Sequence, residues 1–196
     1  MATNIGTGPQ DIPLNQFLGE MAFQDKPKVV NPGSRIVNPN TTAVEWEYLP
    51  PGIQVFQLGE VESYSSTFDN SSERILVQVK TATGWKTSGY RNYSWNQLAG
   101  NTSLAQGFNT DIGGINAYYW VNASSRETLH YTLNRMGTTN IFQFSVQGSA
   151  FNGSNAYMLW NQGYFTADGE ITGIRFTTFN GTANLNGSFF MNYMTR

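Results

Sequence analysis

Thr128-Leu129-His130-Tyr131-Thr132-Leu133-Asn134, followed after Arg135 by Met136-Gly137-Thr138-Thr139-Asn140 and then Ile141-Phe142-Gln143-Phe144-Ser145-Val146-Gln147, decides the fold class. Two period-two runs flank a short segment rich in turn formers. Successive side chains of a strand point to opposite faces, so this spacing predicts an antiparallel β-hairpin. The same pattern extends outward. Ile53 to Leu58 follows the Pro50-Pro51-Gly52 turn, and Arg74 to Lys80 places Ile75, Val77 and Val79 on one face. Trp85 to Trp95 enters through Thr83-Gly84, and Ala117 to Asn122 is a further strand. Downstream come Ala156 to Phe165, a turn at Ala167-Asp168-Gly169, Ile171 to Thr178, and a terminal strand Ser188 to Met194. Eight or nine short strands with such spacing predict an all-β fold, an antiparallel, jelly-roll-like β-sandwich over residues 44–196. The stretch from Leu98 to Asn116 reads as a long irregular connection.

Composition agrees. Charged residues are 12% and aromatics 14%, a balance that suits sheets with many turns better than long soluble helices. There is no Cys, which removes disulfides, thiolate zinc sites and a thiol nucleophile together. The net charge of −2 and a pI near 5.3, with Lys and Arg scattered, argue against a nucleic-acid partner. No apolar run is long enough to span a bilayer, and the first residues lack the basic start and apolar core of a signal peptide, so membrane insertion is not expected. The eight Asn-x-Ser/Thr triplets read as turn chemistry in an Asn-rich chain rather than as glycosylation sites.

Residues 1–43 differ from the rest. Pro9, Pro13, Pro27, Pro32 and Pro39 punctuate them, which predicts an extended N-terminal arm. Within it, Leu14, Phe17, Leu18 and Met21 fall at the spacing of one helical stripe, with Phe23 just beyond. So short a helix is marginal alone and must pack on something. We read Leu14, Phe17, Leu18, Met21 and Phe23 as a docking or oligomer interface.

Catalytic constellations are thin. His130 is the single histidine and sits mid-strand, so metal sites lack their usual ligands and no metal or cofactor is expected. Three carboxylate pairs, Glu45/Glu47, Glu60/Glu62 and Asp168/Glu170, are spaced for one face of a strand and could in principle cleave glycosides. Solvated charge is the simpler reading, and an enzyme is not expected. Aromatics are the stronger lead. Trp85, Tyr90, Tyr93 and Trp95 cluster, and Tyr118, Tyr119 and Trp120 are consecutive. Of these, Tyr90, Tyr93 and Trp95 are the candidate receptor- or glycan-binding residues; core or interface packing is the competing role.

Two stretches carry a family resemblance. Gly8-Pro9-Gln10-Asp11-Ile12-Pro13 through Asp25 resembles a leader of structural and fibre-like proteins of marine and freshwater bacteriophages. Val77-Gln78-Val79-Lys80, then Thr87-Ser88-Gly89-Tyr90, resemble the V-Q-[IL]-G and T-[ST]-G-Y signatures of a β-sandwich domain of phage tail-fibre and prophage virion proteins. Ile174 to Thr182 and Gly187 to Tyr193 resemble its closing strands; Lys80 in place of glycine and the Phe189-Phe190 pair depart from it. The resemblance implies a virion appendage, a homotrimer whose distal domain touches the host surface; the arm is then expected to bind other virion proteins and the aromatics a host surface glycan. A short tail fibre or receptor-binding subunit is the leading expectation, a capsid decoration or head-fibre protein the alternative, and a glycan-degrading tailspike the third.

Overall fold

The structure is a computed structural model that describes residues 28–30, 36–37, 39–65, 74–99, 105–116, 125–153 and 155–195. These form thirteen strands. In chain order they are β1 (Lys28–Val30), β2 (Ile36–Val37), β3 (Ala43–Glu47), β4 (Ile53–Ser65), β5 (Ile75–Thr81), β6 (Gly84–Trp85), β7 (Tyr90–Leu98), β8 (Ala105–Ile112), β9 (Ser125–Arg135), β10 (Ile141–Asn152), β11 (Asn155–Thr166), β12 (Gly173–Thr178) and β13 (Leu185–Thr195). One antiparallel sheet runs β1-β13-β4-β9-β10-β11-β7-β8, with β2 also on β13, giving nine strands. The other runs β3-β12-β5-β6. The two pack face to face, so the expected sandwich is the observed fold.

The hairpin read from Thr128 to Gln147 is present, with β9 and β10 in register from Phe142 opposite Arg135 to Asn152 opposite Ser125. Its turn is closed by the Met136 N–H donating to Ile141 O and the Thr139 N–H donating to Met136 O. Two expectations need correction. The stretch from Leu98 to Asn116 is not an irregular connection, because β8 lies within it and pairs with β7. Beyond β8, Ile115 exchanges two 2.8 Å backbone hydrogen bonds with Val77, carrying the chain from the large sheet to the edge of the small one. Nor does the body begin only at residue 44. β1 and β2, inside the span read as an arm, pair with β13 as edge strands. The docking island of Leu14, Phe17, Leu18, Met21 and Phe23 lies outside the described residues, as do Ala117 to Asn122.

Alternation builds the core. Leu129, Tyr131 and Leu133 of β9 and Phe142, Phe144 and Val146 of β10 are buried, facing Ile75, Val77 and Val79 of β5 and Ile174 and Phe176 of β12. Phe176 is the hub. Its ring lies 6.1 Å from Trp46 on its own sheet, 5.6 Å from Tyr131 and 5.1 Å from Phe189 on the other. The contacts with Trp46 and Tyr131 are edge-on and that with Phe189 is tilted; such aromatic pairs add about 0.5–1.5 kcal/mol each beyond the area buried. Replacing Phe176 by Ala would lower the free energy of unfolding by about 3–5 kcal/mol. Urea unfolding checks this, and a loss under about 1 kcal/mol would contradict the role of the ring as hub.

Candidate functional site

The outward side chains of the large sheet form ordered rows. The first crosses the sheet as Arg91, Tyr164, Gln143, Asn134, Val55 and Met194, from β7 through β11, β10, β9 and β4 to β13. The second is Tyr93, Gln162, Ser145, Thr132, Gln57 and Asn192. The third is Trp95, Trp160, Gln147, His130, Gly59 and Phe190. Neighbouring strands lie about 4.8 Å apart, so the third row spans about 24 Å. These rows hold aromatics, amides and hydroxyls, one guanidinium, one imidazole and no carboxylate.

Local contacts give the rows a fixed shape. The rings of Tyr93 and Trp95 meet edge-on at 4.4 Å, and the Arg91 guanidinium lies 5.4 Å from the Tyr164 ring centre. Phe190 lies over Gly59. A Cβ there would come within 2.1 Å of the Phe190 ring, so only glycine leaves room for it to lie 6.0 Å from His130. Between Arg91, Tyr93, Gln162 and Tyr164 on one side and Met136, Ile141 and Gln143 on the other is an open hollow of about 500 Å³. Tyr93 is 37% exposed and Tyr164 45%. Flat aromatic faces beside amide donors and acceptors can cover the apolar face of a sugar ring and hydrogen-bond its hydroxyls.

The three candidate residues on β7 therefore separate. Tyr93 and Trp95 lie on this face, and the structure brings them to Trp160, Tyr164, Gln162 and Gln143, which sequence reasoning missed. Tyr90 does not join them. It is 0% exposed, its hydroxyl accepting from the Val79 N–H at 3.0 Å and donating to Lys86 O at 3.2 Å. Burial raises its phenol well above the ordinary range, and the Val79 N–H only partly offsets this. Tyr90 ties the two sheets together and is no receptor contact.

The carboxylate pairs also resolve. Glu45 and Glu47 share the outer face of the small sheet, but Glu45 pairs with Arg175 at 3.1 Å and Glu47 with Lys80 at 2.5 Å, both cations lying over Trp85. Glu170 is held by Arg135 at 2.7 Å, and this bond lowers its carboxyl below the ordinary value. Glu60 and Glu62 do not share a face. A bulge separates them, with Glu62 at φ 51° and exposed and Glu60 wholly buried. Gly187, at φ 105°, takes part in the matching irregularity on β13; a Cβ there would meet Ser63 Cα at 2.6 Å.

Regular alternation with Phe56 and Leu58 turns Glu60 inward, on the same face as Glu127 of β9, while the bulge after it sends Glu62 outward; Glu60 and Glu127 form a pair with no signal in sequence spacing. Glu127 is 3% exposed, the Tyr131 hydroxyl donates to Glu60 Oε1, and Glu60 Oε2 has no hydrogen-bond partner among the described residues. Burial pushes the Glu60 carboxyl from 4.5 up to about 7 against the opposing bonds from Tyr131 and Ser63. Glu127 rises as well, through burial and then the charge of Glu60. Enclosed between the sheets, this pair has no room for a sugar between its carboxyls.

Neither a scan against protein-family models nor a search of curated proteins gives a match for the chain.

The buried pair has a measurable consequence. An unfolded chain releases the Glu60 proton near pH 4.5, whereas the folded protein keeps it to about pH 7. The contribution of Glu60 to stability is therefore full below about 4.5 and is lost as the pH rises through about 7, and Glu127, raised in the same direction, adds to the loss. The urea midpoint should be higher at pH 5 than at pH 8, and Glu60→Gln should flatten that slope. An unchanged slope in the variant would show that Glu60 is not the group responsible.

Proposed function

We propose that this chain is a non-catalytic attachment protein of a virion, a short tail-fibre or receptor-binding subunit, whose sandwich grips a host surface glycan on the outer face of its large sheet. The observation that carries the reading is the set of rows around Trp95, Trp160, Tyr93 and Tyr164. Aromatic planes and amides lie side by side there across several strands, exposed or half-buried and without a carboxylate to repel or cleave a saccharide. A rigid sheet suits this task, because the binding groups are held before the ligand arrives and little ordering entropy is lost on contact. The virion part of the reading rests on the resemblances of the leader and of the Val77–Lys80 and Thr87–Tyr90 stretches.

In this reading the protein is a homotrimer, and Leu14, Phe17, Leu18, Met21 and Phe23 dock on another virion protein. A capsid decoration protein would use the same parts with the aromatic face against a neighbouring subunit. The exposed Met158 and Phe151, beside the rows, are the feature that favours it.

Host adsorption separates the two. Trp160→Ala and Tyr164→Ala, with the circular dichroism spectrum unchanged, should each weaken binding of the purified protein to host-surface polysaccharide by about ten-fold or more, the scale of losing one buried aromatic contact. Unaltered adsorption with impaired particle assembly would favour decoration. Deleting residues 1–27, which leaves β1 intact, should spare the sandwich and abolish incorporation into particles. Normal incorporation of the truncated chain would refute the docking segment.

A further inference from the structure

We propose that the hollow beside Arg91 selects an acidic sugar, one whose ring lies on Tyr164 and Tyr93 and whose anionic group is held by the Arg91 guanidinium. The inference rests on the glycan reading above and narrows it to a ligand class.

The charge arrangement points this way. Arg135, Arg175 and Lys80 are each neutralised by a glutamate, Glu170, Glu45 and Glu47 respectively. Arg91 is exposed and forms no ion pair among the described residues; its guanidinium lies 5.4 Å from the Tyr164 ring. No carboxylate among the described residues lines the hollow. A planar guanidinium beside an aromatic ring keeps its in-plane N–H donors available, and these match the paired oxygens of a carboxylate, sulfate or phosphate. The same ring supplies the flat surface for the sugar. Gln143 and Gln162, which line the hollow from β10 and β11, offer both donors and acceptors to ring hydroxyls. The rest of the chain works against indiscriminate capture of polyanions, since its net charge is −2. An acidic glycan is therefore drawn to this point and repelled elsewhere.

The test compares acidic polysaccharides with their neutral counterparts on the full chain. Polygalacturonate and hyaluronan represent sugar carboxylates, and their carboxyl-reduced forms are the neutral partners. Dextran sulfate represents sugar sulfates, with dextran as its partner. Binding is measured by biolayer interferometry at two ionic strengths. At least one acidic member should bind about ten-fold more tightly than its neutral partner, the worth of one charged hydrogen-bonding contact, with the preference shrinking as salt rises. Which set shows the preference tells carboxylate from sulfate. Arg91→Gln should erase the preference and Arg91→Lys should keep part of it, while Tyr164→Ala should weaken both members of a pair. Equal binding of acidic and neutral members, or a preference that survives Arg91→Gln, overturns the acidic assignment and leaves the glycan reading standing. Failure of every polysaccharide to bind overturns both.

Discussion

The contact of Phe176 with Tyr131 and Phe189 holds the molecule in its working form. It joins a four-stranded sheet to a nine-stranded one, and everything on the outer face of the larger sheet takes its position from that junction. Burying rings between two pleated surfaces is non-directional in its main driving force, but the edge-on geometry fixes how the sheets sit on each other. A second tie, from the Tyr90 hydroxyl to the Val79 N–H, pins β7 to the edge of the small sheet. With both sides of β7 and β11 committed inward at alternate positions, the remaining positions face outward on a rigid floor.

That floor explains how a chain with so few charges can still present a chemically specific surface. Amides and aromatics lose little on partial burial, since rings pack and amides find partners in one another or in a ligand. Charges are placed sparingly. On the small sheet they are paired, whereas on the large sheet Arg91 stands among neutral groups. The interior carries its own exception in Glu60 and Glu127, whose carboxyls burial shifts toward the protonated form instead of their being balanced by cations. The β4 bulge beside them interrupts the regular pairing of β4 with β9 and β13, so an electrostatic cost and a local backbone irregularity coincide.

Much of the fold was legible in the sequence because strand periodicity is a local property. The β9–β10 hairpin, the inward set Ile75, Val77 and Val79, and the turn at Ala167-Asp168-Gly169 all follow from alternation and turn chemistry within a few residues. Where alternation is ambiguous, reading fails. In β11, Tyr157, Leu159 and Phe165 lie on one face, and Met158, Trp160 and Tyr164 on the other. Either face could have been the core on hydrophobicity alone, so Trp160 and Tyr164 gave no sign of being surface groups. β8 was missed for a related reason, since its eight residues include only two large apolar ones, Phe108 and Ile112, and its pairing comes from β7.

Sequence alone determined that this chain forms sheets, that its strands run as antiparallel neighbours, and that thiol chemistry is closed to it, because these depend on residue type and near spacing. Tertiary structure decided the rest. It placed Tyr90 inside and Tyr93 outside, set Trp95 opposite Trp160, exchanged the expected Glu60/Glu62 pair for Glu60/Glu127, and left Arg91 facing a hollow. Each depends on which strand lies beside which and on where a bulge shifts the register by one residue. A one-residue shift sends every later side chain to the opposite face, and no local pattern records it.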